Sequence, residues 1–176
     1  MKNKWVVCLF LLMLIIMLSM STVFYYMYLR EKKRNTVTEP AVSEAVVHYP
    51  NTFSDIENYV LSTDKRMIVI GKTGCSFCNL FTPVLKEAAQ KYSFEYMYFD
   101  IRTFSDEEYN KFLNNEILYV PAKCNASGEK IFFRDGFSTP LTLFLENGEI
   151  YDCIRGYKDS AFLYDALLKA NFIQKK

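Results

Sequence analysis

The amino-terminal pattern is almost wholly apolar. Val6 to Leu18 holds no polar side chain, and the 25 residues from Trp5 to Leu29 carry no formal charge. As a helix this stretch would be roughly 37 Å long at about 1.5 Å per residue, enough to cross a hydrocarbon core of about 30 Å. Lys2 and Lys4 precede it, and Arg30, Lys32, Lys33 and Arg34 follow it. Tyr25, Tyr26 and Tyr28 fall where an interfacial aromatic belt belongs. The pattern predicts a single anchoring helix over residues 1–30. The competing reading is a cleaved export signal, with Lys2 and Lys4 as a basic n-region, Val6 to Leu18 as the h-region and Ser19-Met20-Ser21 as a small-x-small site. Residues 31–50 have little apolar periodicity and read as a tether, which leaves 51–176 for one folded domain.

Within that domain the period switches between helix and strand. Phe53 to Leu61 predicts a helix, and Met67-Ile68-Val69-Ile70 a strand buried on both faces. Gly71-Lys72-Thr73-Gly74 ends that strand. Near Cys75 a helix begins, with Phe77, Leu80, Phe81, Val84, Leu85, Ala88 and Ala89 at three- and four-residue intervals. Phe94 to Asp100 predicts another strand. A helix from about 106 to 114 follows, with Ser105 as its cap and Glu108 reaching back to it. Leu141 to Glu146 and Ile150 to Ile154 predict a hairpin through Asn147-Gly148. Asp159 or Ser160 caps a last helix containing Phe162, Leu163, Ala166 and Leu167. Ile117 to Phe137 fits no regular period and predicts an inserted loop or an extra short strand. The order calls for an α/β fold, a central mixed sheet with helices on both faces.

Charge changes the picture in one respect. Lys plus Arg number 21 against 20 Asp plus Glu, so the net charge of +1 offers no electrostatic case for nucleic acid. Residues 1–34 nevertheless carry six basic side chains and one acidic, leaving 15 basic and 19 acidic beyond them. That local excess bears on membrane orientation. Counted alone, the four basic side chains just after the apolar segment would turn the domain toward the cytoplasm. The hydrophobic share of 51%, with Tyr 13 and Phe 15, excludes a disordered chain, and Gly 6 with Pro 5 excludes a collagen-like one.

Cys75-Ser76-Phe77-Cys78 carries the candidate chemistry. Two intervening residues bring the thiols together within one helical turn, as a reversible disulfide requires. A helix amino terminus offers free amides and the positive end of the dipole, which stabilise thiolate at Cys75. Cys78, one turn further in, would resolve a mixed disulfide. Half a zinc site is the competing use of CxxC, but there is no second CxxC, His48 is the sole histidine, and the reading assigns no metal. Cys124 and Cys153 are open between a second disulfide and two unrelated thiols, while Cys8 reads as an apolar residue of the anchor. His48 reads as a polar residue of the tether or domain edge. Lys72 either raises the potential near Cys75 or is a solvated turn lysine. Phe81 reads as core and Phe77 as core or active rim. Asn125-Ala126-Ser127 matches a glycosylation triplet of little weight here.

With these residues in place the sequence resembles the thioredoxin-like family, specifically its membrane-anchored bacterial members that include bacteriocin transport accessory proteins. The resemblance spans roughly 52–172. It rests on Met67-Ile68-Val69-Ile70, Gly74-Cys75-Ser76-Phe77-Cys78, Pro83, Thr139-Pro140, Glu146-Asn147-Gly148-Glu149 and Arg155-Gly156. It implies a cis Pro140 beside the CxxC, a Thr139 backbone that pairs with substrate, a kinking Pro83, and substrate contacts at Ser76 and Phe77. Two departures stand out. Gly74 replaces the family's frequent Trp, and Val69 replaces an acidic residue that could accept the Cys78 proton. The implied activity is a protein thiol-disulfide oxidoreductase, single-pass in the cell membrane, with its domain outside. It would promote disulfide formation in exported proteins or peptides, need no cofactor, and exchange electrons with a membrane or extracellular partner. A membrane-bound reductase and a noncatalytic binding or assembly module are the alternatives.

Overall fold

In a computed structural model, the structure describes residues 47–174 together with positions 13, 17, 20–22 and 24–27. The chain divides into two units, Met1–Val42 and Ser43–Lys176. In the first, the described positions are helical. The expected anchor as a whole lies outside the described residues, among which no helix is long and apolar enough to cross a membrane.

The second unit is built on a five-stranded sheet ordered β1-β3-β2-β6-β7, from β1 (Val47–His48), β2 (Arg66–Gly71), β3 (Tyr96–Asp100), β6 (Leu141–Glu146) and β7 (Glu149–Arg155). β1, β3 and β2 run parallel, and β6 and β7 pair antiparallel, so the sheet is mixed as expected. β1 sits where the sequence reads as tether. Two residues are too few to show an alternation, and His48 reaches Glu95 at 3.1 Å on this edge.

Alternation along β2 explains why its apolar run is unbroken. Ile68 and Ile70 face one layer, with α1 (Phe53–Val60) and α3 (Asp106–Asn114) contributing Phe53, Ile56, Val60 and Phe112. Met67 and Val69 face the other, where α2 (Ser76–Tyr92) and α4 (Ser160–Lys169) supply Phe81, Leu85, Ala89, Leu163 and Leu167. Removing a buried aromatic such as Phe81 from this layer would cost about 3–5 kcal/mol. Gly71 is required at the end of β2, because a Cβ there would strike the Tyr98 ring and hydroxyl.

Local signals place most ends. Thr52 and Asp55 form a capping box on α1. Asp159, rather than Ser160, caps α4, accepting from the Phe162 amide at 2.8 Å. Asn147 and Gly148 both take positive φ, 54° and 81°, as a tight hairpin turn demands. Ser105 caps α3, but Glu108 does not reach back to it. Its carboxylate accepts from the Phe53 amide at 2.6 Å and from Lys111 at 2.7 Å, joining the starts of two helices. The tertiary partner outcompetes the local one.

Just before the Ile117 to Phe137 segment that fitted no period, the side chain of buried Asn115 donates to the Phe112 carbonyl and, at 2.6 Å, accepts from the Leu118 amide. The segment itself runs through two short strands, β4 (Tyr119–Val120) and β5 (Ile131–Phe132), paired antiparallel, with 3₁₀ turns at Ala122–Cys124 and Phe133–Asp135. Asn125 closes the turn between them through Ser127 and the Glu129 carbonyl. Strands of two residues are below what a periodic pattern can reveal.

Candidate active site

β2 ends under the amino terminus of α2, and the turn between them presents the two cysteines. Gly74 adopts φ 81°, which lets the chain turn into the helix. Cys75 is the amino-terminal cap of α2, and its sulfur accepts from the Cys78 amide at 3.2 Å. A thiolate at this position meets that amide and the dipole of a 17-residue helix. Cys75 and Cys78 are joined as a disulfide, with their Cα atoms 5.2 Å apart. Cys75 is 8% exposed and Cys78 2%, so an incoming sulfur meets Cys75.

Asp100, at the end of β3, holds the turn from the other side. Its carboxylate accepts from the Thr73 amide at 3.0 Å, the Thr73 hydroxyl at 2.6 Å and the Arg102 amide at 2.9 Å. Burial pushes this carboxyl upward, but the bonds from Thr73 and Arg102 and the Arg102 charge outweigh it and hold it below the ordinary aspartate range. It therefore stays ionised as a clamp. The sequence reading missed Asp100, whose only signal was an acidic residue ending an apolar strand.

The loop before β6 supplies the facing wall. The Thr139–Pro140 peptide bond is cis. The Thr139 carbonyl lies 3.5 Å from Cys75 Sγ, and the Thr139 hydroxyl donates to that sulfur at 3.5 Å. Pro140 itself is buried, and Ser76 is exposed. Phe77 and Leu80, one turn apart on α2, are 61% and 55% exposed, whereas Phe81 is in the core at 1%. Lys72 is exposed, with its carbonyl accepting from the Cys75 amide at 3.2 Å. Pro83 lies inside α2 without ending it.

Beneath α2 the sheet has no carboxylate in the Val69 row. Val69 stands in register with Tyr98 on one side and Thr142 on the other. Burial pushes the Tyr98 phenol upward, a hydrogen bond with Thr82 partly offsetting it. The Thr142 hydroxyl is buried and, among the described residues, has no hydrogen-bond partner.

The other two domain cysteines come together. Cys124 and Cys153, 29 residues apart in sequence, form a second disulfide with Cα atoms 6.3 Å apart. Beside it Lys123 bonds Asp152 at 2.6 Å and the Tyr151 carbonyl at 2.9 Å. These bonds fasten the insert to β7. With the four cysteines paired in this way, no tetrahedral thiolate set is gathered, and among the described residues no other group of three His, Cys, Asp or Glu is placed to hold a metal.

No protein-family model matches the sequence, and no curated protein matches it. Among solved structures, the chain is similar to the thioredoxin Mala s 13 of Malassezia sympodialis, with 14% identity and a TM-score of 0.50 over 72% of this chain and 91% of that one. It is also similar to the thioredoxin NaTrxh of Nicotiana alata, with 15% identity and a TM-score of 0.50 over 73% and 95% of the two chains. Identities this low speak to architecture alone, and they agree with the sheet order and flanking helices: the fold is thioredoxin-like.

Proposed function

We propose that this protein is a membrane-tethered thiol-disulfide oxidoreductase that promotes disulfide formation in exported bacterial proteins or peptides. The observation that carries the reading is the Cys75–Cys78 pair, with Cys75 capping α2 against Thr139. A substrate thiolate attacks Cys75 Sγ, the Cys75–Cys78 bond breaks, and its electron pair leaves on Cys78, which takes a proton. A second substrate thiolate then attacks the substrate sulfur of the mixed disulfide and expels the Cys75 thiolate. The substrate has lost two electrons and the enzyme holds them. A disulfide- or quinone-bearing partner in or outside the membrane accepts them. Sulfur exchange of this kind uses no dissociable cofactor.

One feature favours this direction. The Cys124–Cys153 bridge suits an oxidising compartment, which outweighs the small basic excess after the apolar segment. The sequence resemblance to bacteriocin transport accessory proteins supports a role beside peptide export.

Thiol trapping of the full-length chain in intact cells, with membrane-permeant and impermeant reagents in parallel, tests the reading. An oxidised Cys75–Cys78 pair that the impermeant reagent reaches only after reduction is expected. A reduced, externally reactive pair would instead indicate a reductase. Protection from the impermeant reagent would put the domain in the cytoplasm.

A further inference from the structure

A groove of about 590 Å³ opens beside Cys75, within the size range of about 300–1,000 Å³ that accommodates a ligand of a few residues. One wall is Ile101, in the turn after β3, with Tyr109 and Leu113 of α3. The other is the insert: Phe133, Arg134, Gly136 and Phe137. Aromatic packing stiffens that wall, since the Phe133 ring stacks 4.6 Å from Phe112 and meets Phe137 edge-on at 4.9 Å. The Cys124–Cys153 bridge ties the insert to β7.

Charge on the lining of the groove is one-sided, with Asp100, next to the lining residue Ile101, outside it. Lys72 and Arg134 line it, no carboxylate does, and among the described residues neither cation has an ion-pair partner. Arg155 adds a third cation behind the rim, donating to the lining residue Ser138 at 3.1 Å. Asp135, next to Arg134, lies outside the lining.

We infer that the insert makes this groove a specificity site for the segment flanking a substrate cysteine. The segment it fits carries a large apolar side chain and an aspartate or glutamate within a few residues of that cysteine. The apolar side chain lies against Leu113 and Phe137, and the carboxylate meets Arg134 and Lys72. This rests on the oxidoreductase reading and names the substrate class for it.

The test uses the full-length chain in detergent, with Cys78→Ser and Cys8→Ser so that Cys75 is the one free thiol. Its substrates are leucine-containing peptides that differ only in an Asp, Asn or Lys near their cysteine, each activated as a 2-pyridyl mixed disulfide. Cys75 thiolate attacks the peptide sulfur, forming the Cys75–peptide disulfide and expelling pyridine-2-thiolate, which takes up a proton and is read by absorbance as pyridine-2-thione. The Asp peptide should react at least about fivefold faster than the Lys peptide at low salt, and the gap should close as salt rises. Arg134→Glu should invert the order, each peptide rate being taken relative to that with neutral dipyridyl disulfide. Equal rates for the Asp and Lys peptides would overturn the inference, as would a preference that survives Arg134→Glu. The same peptides with serine in place of cysteine, bound to the wild-type chain and followed by fluorescence anisotropy, decide the groove separately. Inert dipyridyl disulfide with Asp-selective anisotropy would defeat the oxidoreductase reading and leave the groove standing.

Discussion

The domain contains two disulfides of opposite design. Cys75–Cys78 spans three positions at a helix amino terminus, with the Cys75 sulfur accepting from the Cys78 amide. Cys124–Cys153 spans 29 positions, joins the insert to a sheet strand, and lies against the core with Cys124 7% exposed. Closing the long loop removes far more conformational freedom from the unfolded chain than closing the short one. Forming the short bond restrains little and breaking it costs little, so it is free to cycle. Under the proposed function the same covalent bond is a reagent in one place and a brace in the other, set by loop length and by the helix amino terminus at Cys75.

The largest effect that sharpens this contrast is on activity. Cys75→Ser should reduce thiol exchange with a peptide substrate to background, while Cys78→Ser should accumulate mixed disulfides visible on non-reducing gels. Either change should lower unfolding stability by roughly 2 kcal/mol or less, the value chain entropy assigns to so short a loop. Replacing Cys124 and Cys153 together by serine should do the reverse. Urea unfolding should show a loss of about 3–4 kcal/mol, with exchange toward a small neutral disulfide retained. A double variant as stable as wild type would break the contrast.

A smaller effect concerns the clamp beside the reactive pair. Asp100→Asn should cost about 1–2 kcal/mol at neutral pH, since hydrogen bonds to a charged group are being replaced by weaker ones. The sign with pH follows from the lowered pKa. The carboxylate's contribution is complete above its ordinary value of 3.8 and is lost as pH falls through the lower folded value. The gap between wild type and Asp100→Asn, followed by denaturation across the acid range, should therefore shrink below about pH 4. A gap independent of pH would mean that the ionised carboxylate is not what holds the turn.

The smallest effect is at Thr142, on the strand that connects the two bridges. This strand follows Pro140, and its Leu143 is in register with Cys153. Thr142 has a buried hydroxyl without a partner among the described residues. Thr142→Val removes that desolvated group at nearly constant volume and should raise thermal stability by up to about 1 kcal/mol. A net loss would show that the hydroxyl has a partner when the protein is folded in solution.

The elements with long, clean periods were legible before any coordinates. The two faces of α2 follow from Phe81, Leu85 and Ala89, and the hairpin follows from Asn147-Gly148, because these signals are local. The Cys75–Cys78 pairing was legible for the same reason, since the two cysteines need only one helical turn to meet. Glu108 was misread because a capping box is a local bargain that the Phe53 amide, 55 residues away, could outbid. β1 escaped notice, and Ile117 to Phe137 stayed open between a loop and an extra short strand, because two-residue strands hold their places by pairing, not by pattern.

The sequence by itself determined the α/β order, the position of the reactive cysteines and the apolar segment before the domain. It did so because periodicity, capping and turn chemistry act over a few residues. Tertiary structure alone decided that Cys124 meets Cys153, that Asp100 clamps Thr73, and that the insert walls a cationic groove beside Cys75. Each of those joins groups 27 or more positions apart. Their proximity is a property of how the layers pack, and no stretch of sequence short enough to read as a pattern contains both partners.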